Sequence, residues 1–360
     1  MEFLYPTASP TAPGFSNGGY LILGLIPLLG AASLQQAFGR LVHSPFAEFF
    51  PTLADYIFAS NAFAEPIPGF ALYNITEGVR ATELSAWFTR WLLSQNFTNS
   101  STCLHFEDAP ARPHYLGRSC TLIASILVYG YLSAFAFHVG DFYGYFSVSA
   151  LIVCMLVRQS ILRACRDSLN EHMENAGKGS QAQSAKLFVT LPTGQAVAIE
   201  ATRGIFVQCF LTEAKPTGRK LHLLMRGLGW LAFASHVVLL ALATEPMQLV
   251  SISTMVLFSV LAIHRVGCNE HRIGNRLYVT RYDFPGIESR AKAYVMLDLD
   301  EIEEQDMVAW FVMPRRSNTI WWDTYKTFKA EAKSEPAVLN TWGQRLDAAY
   351  ALLEGGEITI

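Results

Sequence analysis

The sequence predicts an α-helical membrane protein with about five transmembrane helices and a small mixed α/β polar domain, and three observations carry that prediction. Of its 360 residues, 51% are hydrophobic and only 16% are charged. A water-soluble domain carries roughly 25% charged residues, so much of this surface does not face water. Five stretches reach the about 20 apolar residues with which a helix crosses about 30 Å of hydrocarbon. Between them lie polar regions too long to be bare linkers.

In chain order, residues 1–38 hold the N-terminus and a span over Gly19–Phe38, which Pro27 should kink. It has neither a basic n-region nor a small-residue cleavage site, so it reads as a retained span rather than a signal peptide. Residues 39–119 form a long polar loop in which Thr82–Leu93 sets Leu84, Trp87, Phe88 and Trp91 on one helical face. A transmembrane hairpin follows in 120–162, with spans Cys120–Val139 and Tyr143–Leu162. In the polar loop 163–220, the run Lys186–Leu211 alternates around Pro192, Thr193, Gly194 and Gln195. That pattern reads as a β-hairpin and then a third strand over Ile205–Leu211. Residues 221–264 hold a second hairpin, Leu221–Thr244 and Leu249–His264. The tail, 265–360, predicts a strand at Arg276–Arg281 and helices at Glu301–Phe311, Trp321–Ala332 and Val338–Leu353. The polar domain is expected from the 163–220 loop and this tail.

Two signals bear on orientation, and they disagree. Basic residues favour the cytoplasmic side. Met1–Gly18 and both tight hairpin turns lack Lys and Arg, whereas Arg40, Arg112 and Arg118 flank the first loop. Arg158, Arg163, Arg166, Lys215, Arg219, Lys220 and Arg226 flank the second, and Arg265, Arg272, Arg276 and Arg281 open the tail. This pattern puts the N-terminus outside and all three long polar regions in the cytoplasm. Against it, the first loop carries glycosylation sequons at Asn74, Asn96 and Asn99, which are used only in the secretory lumen. A lumenal loop would also allow a Cys103–Cys120 disulfide. The charge pattern agrees at every loop and is preferred. Nothing resembles a mitochondrial presequence, so a secretory-pathway membrane, endoplasmic reticulum or plasma membrane, is expected.

The chemistry is sparse. A net charge of −3 argues against a nucleic-acid partner, and hydrolase, kinase, nucleotide-binding and zinc-protease signatures are absent. His264, Cys268 and His271 are spaced i, i+4, i+7, so a continuing helix would put all three on one face as transition-metal ligands. Cys165 and His172 could complete that shell. His222, Arg226 and His236 form a polar stripe along the fourth span, and such residues inside a bilayer point to function. The acidic run Asp298–Asp306 could hold a divalent cation but better fits the acidic first turn of a helix. Trp310–Lys329 mixes aromatic and basic residues, which suits either a membrane interface or plain packing.

The stretch from Lys186 to about Tyr325 resembles a family of multi-pass membrane proteins of filamentous fungi. The resemblance rests on Leu191-Pro192-Thr193-Gly194, Arg203-Gly204 and Gly227-Leu228-Gly229-Trp230. It extends through Ile273-Gly274-Asn275-Arg276-Leu277, Met307-Val308-Ala309-Trp310 and Trp321-Trp322-Asp323. It implies a fungal membrane protein with a cytosolic tail domain and carries over no reaction. With no convergent catalytic set, the leading expectation is a non-enzymatic scaffold, interaction or sensing protein that meets the lipid bilayer and a protein partner. The alternatives are an enzyme acting on a lipid-like or terpenoid substrate, with His236 or His264 in an acid–base role, and an oligomeric channel or transporter.

Overall fold

The computed structural model describes residues 29–95, 97, 102–109, 115–216, 218–283 and 290–334. The first span before residue 29, Asn96, Asn99 and the helix expected at Val338–Leu353 lie outside them. The described end of the expected first span forms the nine-residue helix α1 (Ala31–Gly39), and the first polar region then opens with α2 (Pro45–Phe49) and α3 (Tyr56–Ser60). Strands β1 (Ala71–Asn74) and β2 (Val79–Ala81), helix α4 (Ala86–Ser94) and strand β3 (Thr102–Asp108) complete it. Helix α4 is the amphipathic segment the sequence predicts, with Trp87, Phe88, Trp91 and Leu92 buried.

Two long helices follow, α5 (Tyr115–Val139) and α6 (Phe142–Ala176). The second polar region contributes β4 (Ser184–Thr190), β5 (Ala196–Thr202) and α7, a helical turn at Arg203–Ile205 that runs into a π-helical turn over Phe206–Leu211. Helices α8 (Arg219–Leu242) and α9 (Glu245–Ile263) make the second hairpin. The tail gives β6 (Arg272–Ile273), β7 (Leu277–Asp283), α10 (Arg290–Met296), α11 (Glu301–Ala309) and α12 (Thr319–Ser334). Four of these helices, α5, α6, α8 and α9, are long and apolar enough to cross a membrane. Where an aqueous surface would be costly, Leu127, Tyr131, Phe146, Leu224, Leu231 and Leu257 are exposed, as lipid contact requires.

At their distal ends the two hairpins are pinned by one carboxylate. Asp141 caps α6 by accepting the Gly144 N–H at 2.8 Å, and its other oxygen accepts the Thr244 N–H at 2.7 Å and hydroxyl at 2.9 Å. Exposed Phe142, Tyr143 and Tyr145 ring this end, as aromatic side chains do at a membrane interface. At the other end α6 does not stop at Leu162. Its 35 residues make a rod of about 52 Å at about 1.5 Å per residue, well beyond the about 30 Å of hydrocarbon. The surplus, Cys165 to Ala176, buries one face, Cys165, Arg166, Ser168, Leu169, Met173 and Ala176, in the polar domain.

That domain is one seven-stranded mixed sheet in the order β2-β1-β4-β5-β3-β7-β6. The β4–β5 hairpin turns where the sequence predicts, with Gly194 at φ 81° and its N–H donating to Leu191 O at 2.9 Å. Here two expectations are corrected. The domain draws on all three polar regions, because β1 pairs antiparallel with β4 and β3 lies parallel to β5 and antiparallel to β7. All three therefore gather at the same end of the helix bundle. The expected third strand over Ile205–Leu211 is the helical α7, because Ile205, Phe206, Cys209 and Phe210 recur at helical spacing and all bury in the core.

The sheet separates two cores. One face packs on α4, α7 and the surplus of α6, with Phe88 and Phe210 stacked at 4.1 Å. The other carries a lobe of α10, α11 and α12 around Tyr294, Met307, Trp322 and Tyr325. The acidic run opens α11, where Asp300 and Glu303 form a reciprocal capping box. Glu304 then ties the lobe together, pairing with Lys329 at 2.7 Å and Arg316 at 3.0 Å and accepting the Tyr325 hydroxyl at 3.0 Å. Trp322, under the Arg316 guanidinium at 3.7 Å, packs inside this lobe, and so does Tyr325.

Candidate functional site

Between the bundle and the domain the chain runs Ser44 to Ser60, a strongly apolar stretch broken by Pro45 and Pro51. Pro45 starts α2, capped by the Ser44 hydroxyl, which accepts the Ala47 N–H at 3.3 Å. Pro51 follows the end of that helix, since its ring cannot continue it. At Ala54 the chain turns at φ 56°, a left-handed conformation that costs an L-residue about 1–2 kcal/mol and is held here by complete burial. The segment enters the gap that opens because α8 lies along α6 while α9 leans on α1, α2 and α5. Phe50 stacks on Phe258 of α9 at 4.2 Å, and Tyr56 meets Phe233 of α8 at 5.4 Å. The stretch is a wedge between spans.

Non-helical backbone at membrane depth survives only where protein groups satisfy it, and three spans supply them. From α6, Arg158 donates through Nη1 to Asp55 Oδ1 at 2.5 Å and to Thr52 Oγ1, and through Nη2 to the Phe50 carbonyl. From α8, Arg226 donates to the carbonyls of Ala59 at 2.8 Å and Ser60 at 3.1 Å, closing the end of α3. From α9, the Ser259 hydroxyl accepts the Leu53 N–H at 2.8 Å. Arg158 is 0% exposed. Counted from the distal helix ends, these anchors lie about 21–24 Å along the helices, less than the about 30 Å that a membrane-crossing helix covers. The sequence shows Arg158 only as flanking charge and Arg226 as part of the polar stripe, and nothing in their spacing announces a shared partner.

A second set of contacts sits farther from the distal ends. Arg166 pairs with Glu48 at 2.7 Å and also donates to the carbonyls of Leu41 and Val42, each at 3.0 Å. His43 bridges Glu48 Oε1 at 3.2 Å and Asn275 Oδ1 at 3.0 Å, so the wedge, α6 through Arg166, and the β6–β7 turn meet around one carboxylate. Burial pushes the Glu48 carboxyl up, but Arg166 and His43 outweigh it and hold it at about 2 against an ordinary 4.5. A depressed carboxylate contributes stability above pH 4.5 that is lost as pH falls toward 2. At about 1.4 kcal/mol per pH unit, the contribution is about 3 kcal/mol. Glu48→Gln should therefore be less stable by about that amount at pH 7, and the gap should close toward pH 2 in pH-resolved unfolding. A gap that stayed constant with pH would mean that the charge on Glu48 does not hold the junction.

The structure redistributes the residues singled out from sequence. His264 ends α9, and the chain reverses at Arg265 with φ 60°, so the helix that would align His264, Cys268 and His271 does not continue. His271 instead turns its Nδ1 to the Val279 carbonyl at 3.1 Å, and Cys165 is buried in the main core. Among the described residues no three His, Cys, Asp or Glu side chains gather as a metal site. The polar stripe divides: Arg226 belongs to the wedge, His222 is half-buried, and His236, 1% exposed, meets the Ser147 hydroxyl of α6 at 2.9 Å. Asn74, the one described sequon asparagine, is fully buried, and its Nδ2 donates to Glu77 at 2.8 Å. Cys103 and Cys120 are both free. They do not pair, since Cys103 lies under the lobe while Cys120 faces outward on α5. No family model, curated protein or solved structure matches the chain.

Proposed function

We propose that this chain is a membrane-embedded sensing and interaction protein, with its composite domain in the cytoplasm of a secretory-pathway membrane. The wedge carries the reading. Its backbone is gripped by three spans, and α6 continues from that grip into the sheet, so a change in bundle packing is transmitted to the domain through one rigid rod. The orientation draws support from the basic residues that cluster at the domain end and from the burial of Asn74. Ile302, Phe311 and Ile320, exposed on the lobe far from the wedge in sequence, offer apolar contact to a protein partner.

Hydrogen exchange of the full chain in bilayers of two hydrocarbon thicknesses tests this. Sensing requires protection in β4, β5 and α7 to change with thickness. Identical exchange in the two bilayers would refute it, because the domain would then be blind to the membrane.

A further inference from the structure

The outer surface of the bundle changes character at one level. On α6 the outward stripe holds the exposed Leu156 and, two turns on, Arg163, whose side chain is 78% exposed. On α8 the exposed Leu224, Leu223 and Leu221 give way to the exposed Lys220 and Arg219. The two helices pack antiparallel, with His236 against Ser147 at 2.9 Å and Gly229 against Val157. That register, continued at equal rise, sets Arg163 level with Leu223, and Lys220 and Arg219 about one turn farther out. Exposed cations from both helices thus share one level.

The level lies one hydrocarbon thickness from the distal end. At about 1.5 Å per residue, α6 rises about 30 Å from Tyr143 to Arg163, and α8 spans about 33 Å between Leu242 and Lys220. The hydrocarbon core is about 30 Å thick. With exposed Phe142, Tyr143 and Tyr145 at one interface, the cations fall among the headgroups of the other. The distal turns hold Asp141 and Glu245 and neither Lys nor Arg. Asp167 approaches Arg163 at 3.8 Å but is itself 59% exposed, and an exposed pair of this kind holds a guanidinium only weakly.

We propose that Arg163, Arg219 and Lys220 form a belt that selects anionic phospholipids around the domain end of the bundle. Basic groups at this depth attract a headgroup of net negative charge. Phosphatidylcholine gains less, because its choline cation offsets its phosphate. The belt does not rest on the sensing proposal, since it serves either orientation and a bundle that transmits nothing.

Electron paramagnetic resonance on the full chain in phosphatidylcholine vesicles tests it. Trace phosphatidylserine, phosphatidylglycerol or phosphatidylcholine, each spin-labelled on the acyl chain, reports the fraction of lipid held at the protein. Both anionic lipids should associate several-fold more strongly than phosphatidylcholine at low salt. The excess should shrink between about 0.01 M and 1 M salt, as the screening length falls from about 30 Å to about 3 Å. Arg163→Gln, Arg219→Gln and Lys220→Gln combined should remove most of it, whereas Arg163→Lys with Arg219→Lys should keep it. Equal association of the three lipids with the parent protein would overturn the proposal, and that arm needs no variant. So would an excess unchanged in the triple glutamine variant, because other groups would then recruit the lipid.

Discussion

Arg158→Met should destabilise the protein by about 3–5 kcal/mol, the cost of leaving a buried carboxylate without its cation. The substitution conserves much of the side-chain length and apolar stem but removes every donor to Asp55, Thr52 and Phe50. Asp55 is buried, and Arg158, 2.5 Å away, is its cationic partner. Without that partner the carboxyl must take up a proton or draw the wedge out of its seat. The double variant Asp55→Asn with Arg158→Met removes the stranded charge and should recover a substantial part of the loss, since replacing both members of a buried pair is often near neutral. Unfolding midpoints in mild detergent would measure both. An Arg158→Met protein within about 0.5 kcal/mol of the parent, the range of an ordinary surface change, would mean that this pair does not hold the wedge.

Gly204→Ala should be nearly as damaging, at about 1–3 kcal/mol or more. A Cβ at Gly204 would stand 2.2 Å from the carbonyl oxygen of Ala176 and 2.6 Å from its Cα. Both are backbone atoms, so no rotamer can relieve the clash, and α7 must move off the end of α6. That contact is where the long rod meets the domain, and Phe206, Cys209 and Phe210 follow from it into the core. Gly130→Ala is the matched control, because a Cβ there meets nothing within 4 Å, and alanine is the better helix former. Denaturant unfolding that ranked the two substitutions equally would show that the α6–α7 approach carries no stability.

The local elements were legible from sequence because their causes are local. A membrane-length helix announces itself by composition over about 20 residues, and α5, α6, α8 and α9 arise where that composition lies. The β4–β5 turn follows from Gly194 in the left-handed region, and α4 from aromatic residues at helical spacing. Even the grouping of the three polar regions on one side was visible in the distribution of arginines.

Tertiary structure alone decided the rest. Ile205–Leu211 is apolar enough for a strand or a helix, and the burial of Ile205, Phe206, Cys209 and Phe210 in one core goes with the helical form. The metal-like spacing after His264 depended on a helix that ends there. Residues distant in the chain become partners only through the fold, as Cys103 does with Ala198 in the sheet and Asp55 with Arg158 at the wedge. Charge sequence records the sign of Arg158 and Arg226 but not what they touch. The sequence by itself determined which four helices are long and apolar enough to cross a membrane, since hydrophobic transfer depends on each segment's own side chains. The three-dimensional structure decided what holds the domain to them, because hydrogen bonds and ion pairs need partners brought within about 3 Å.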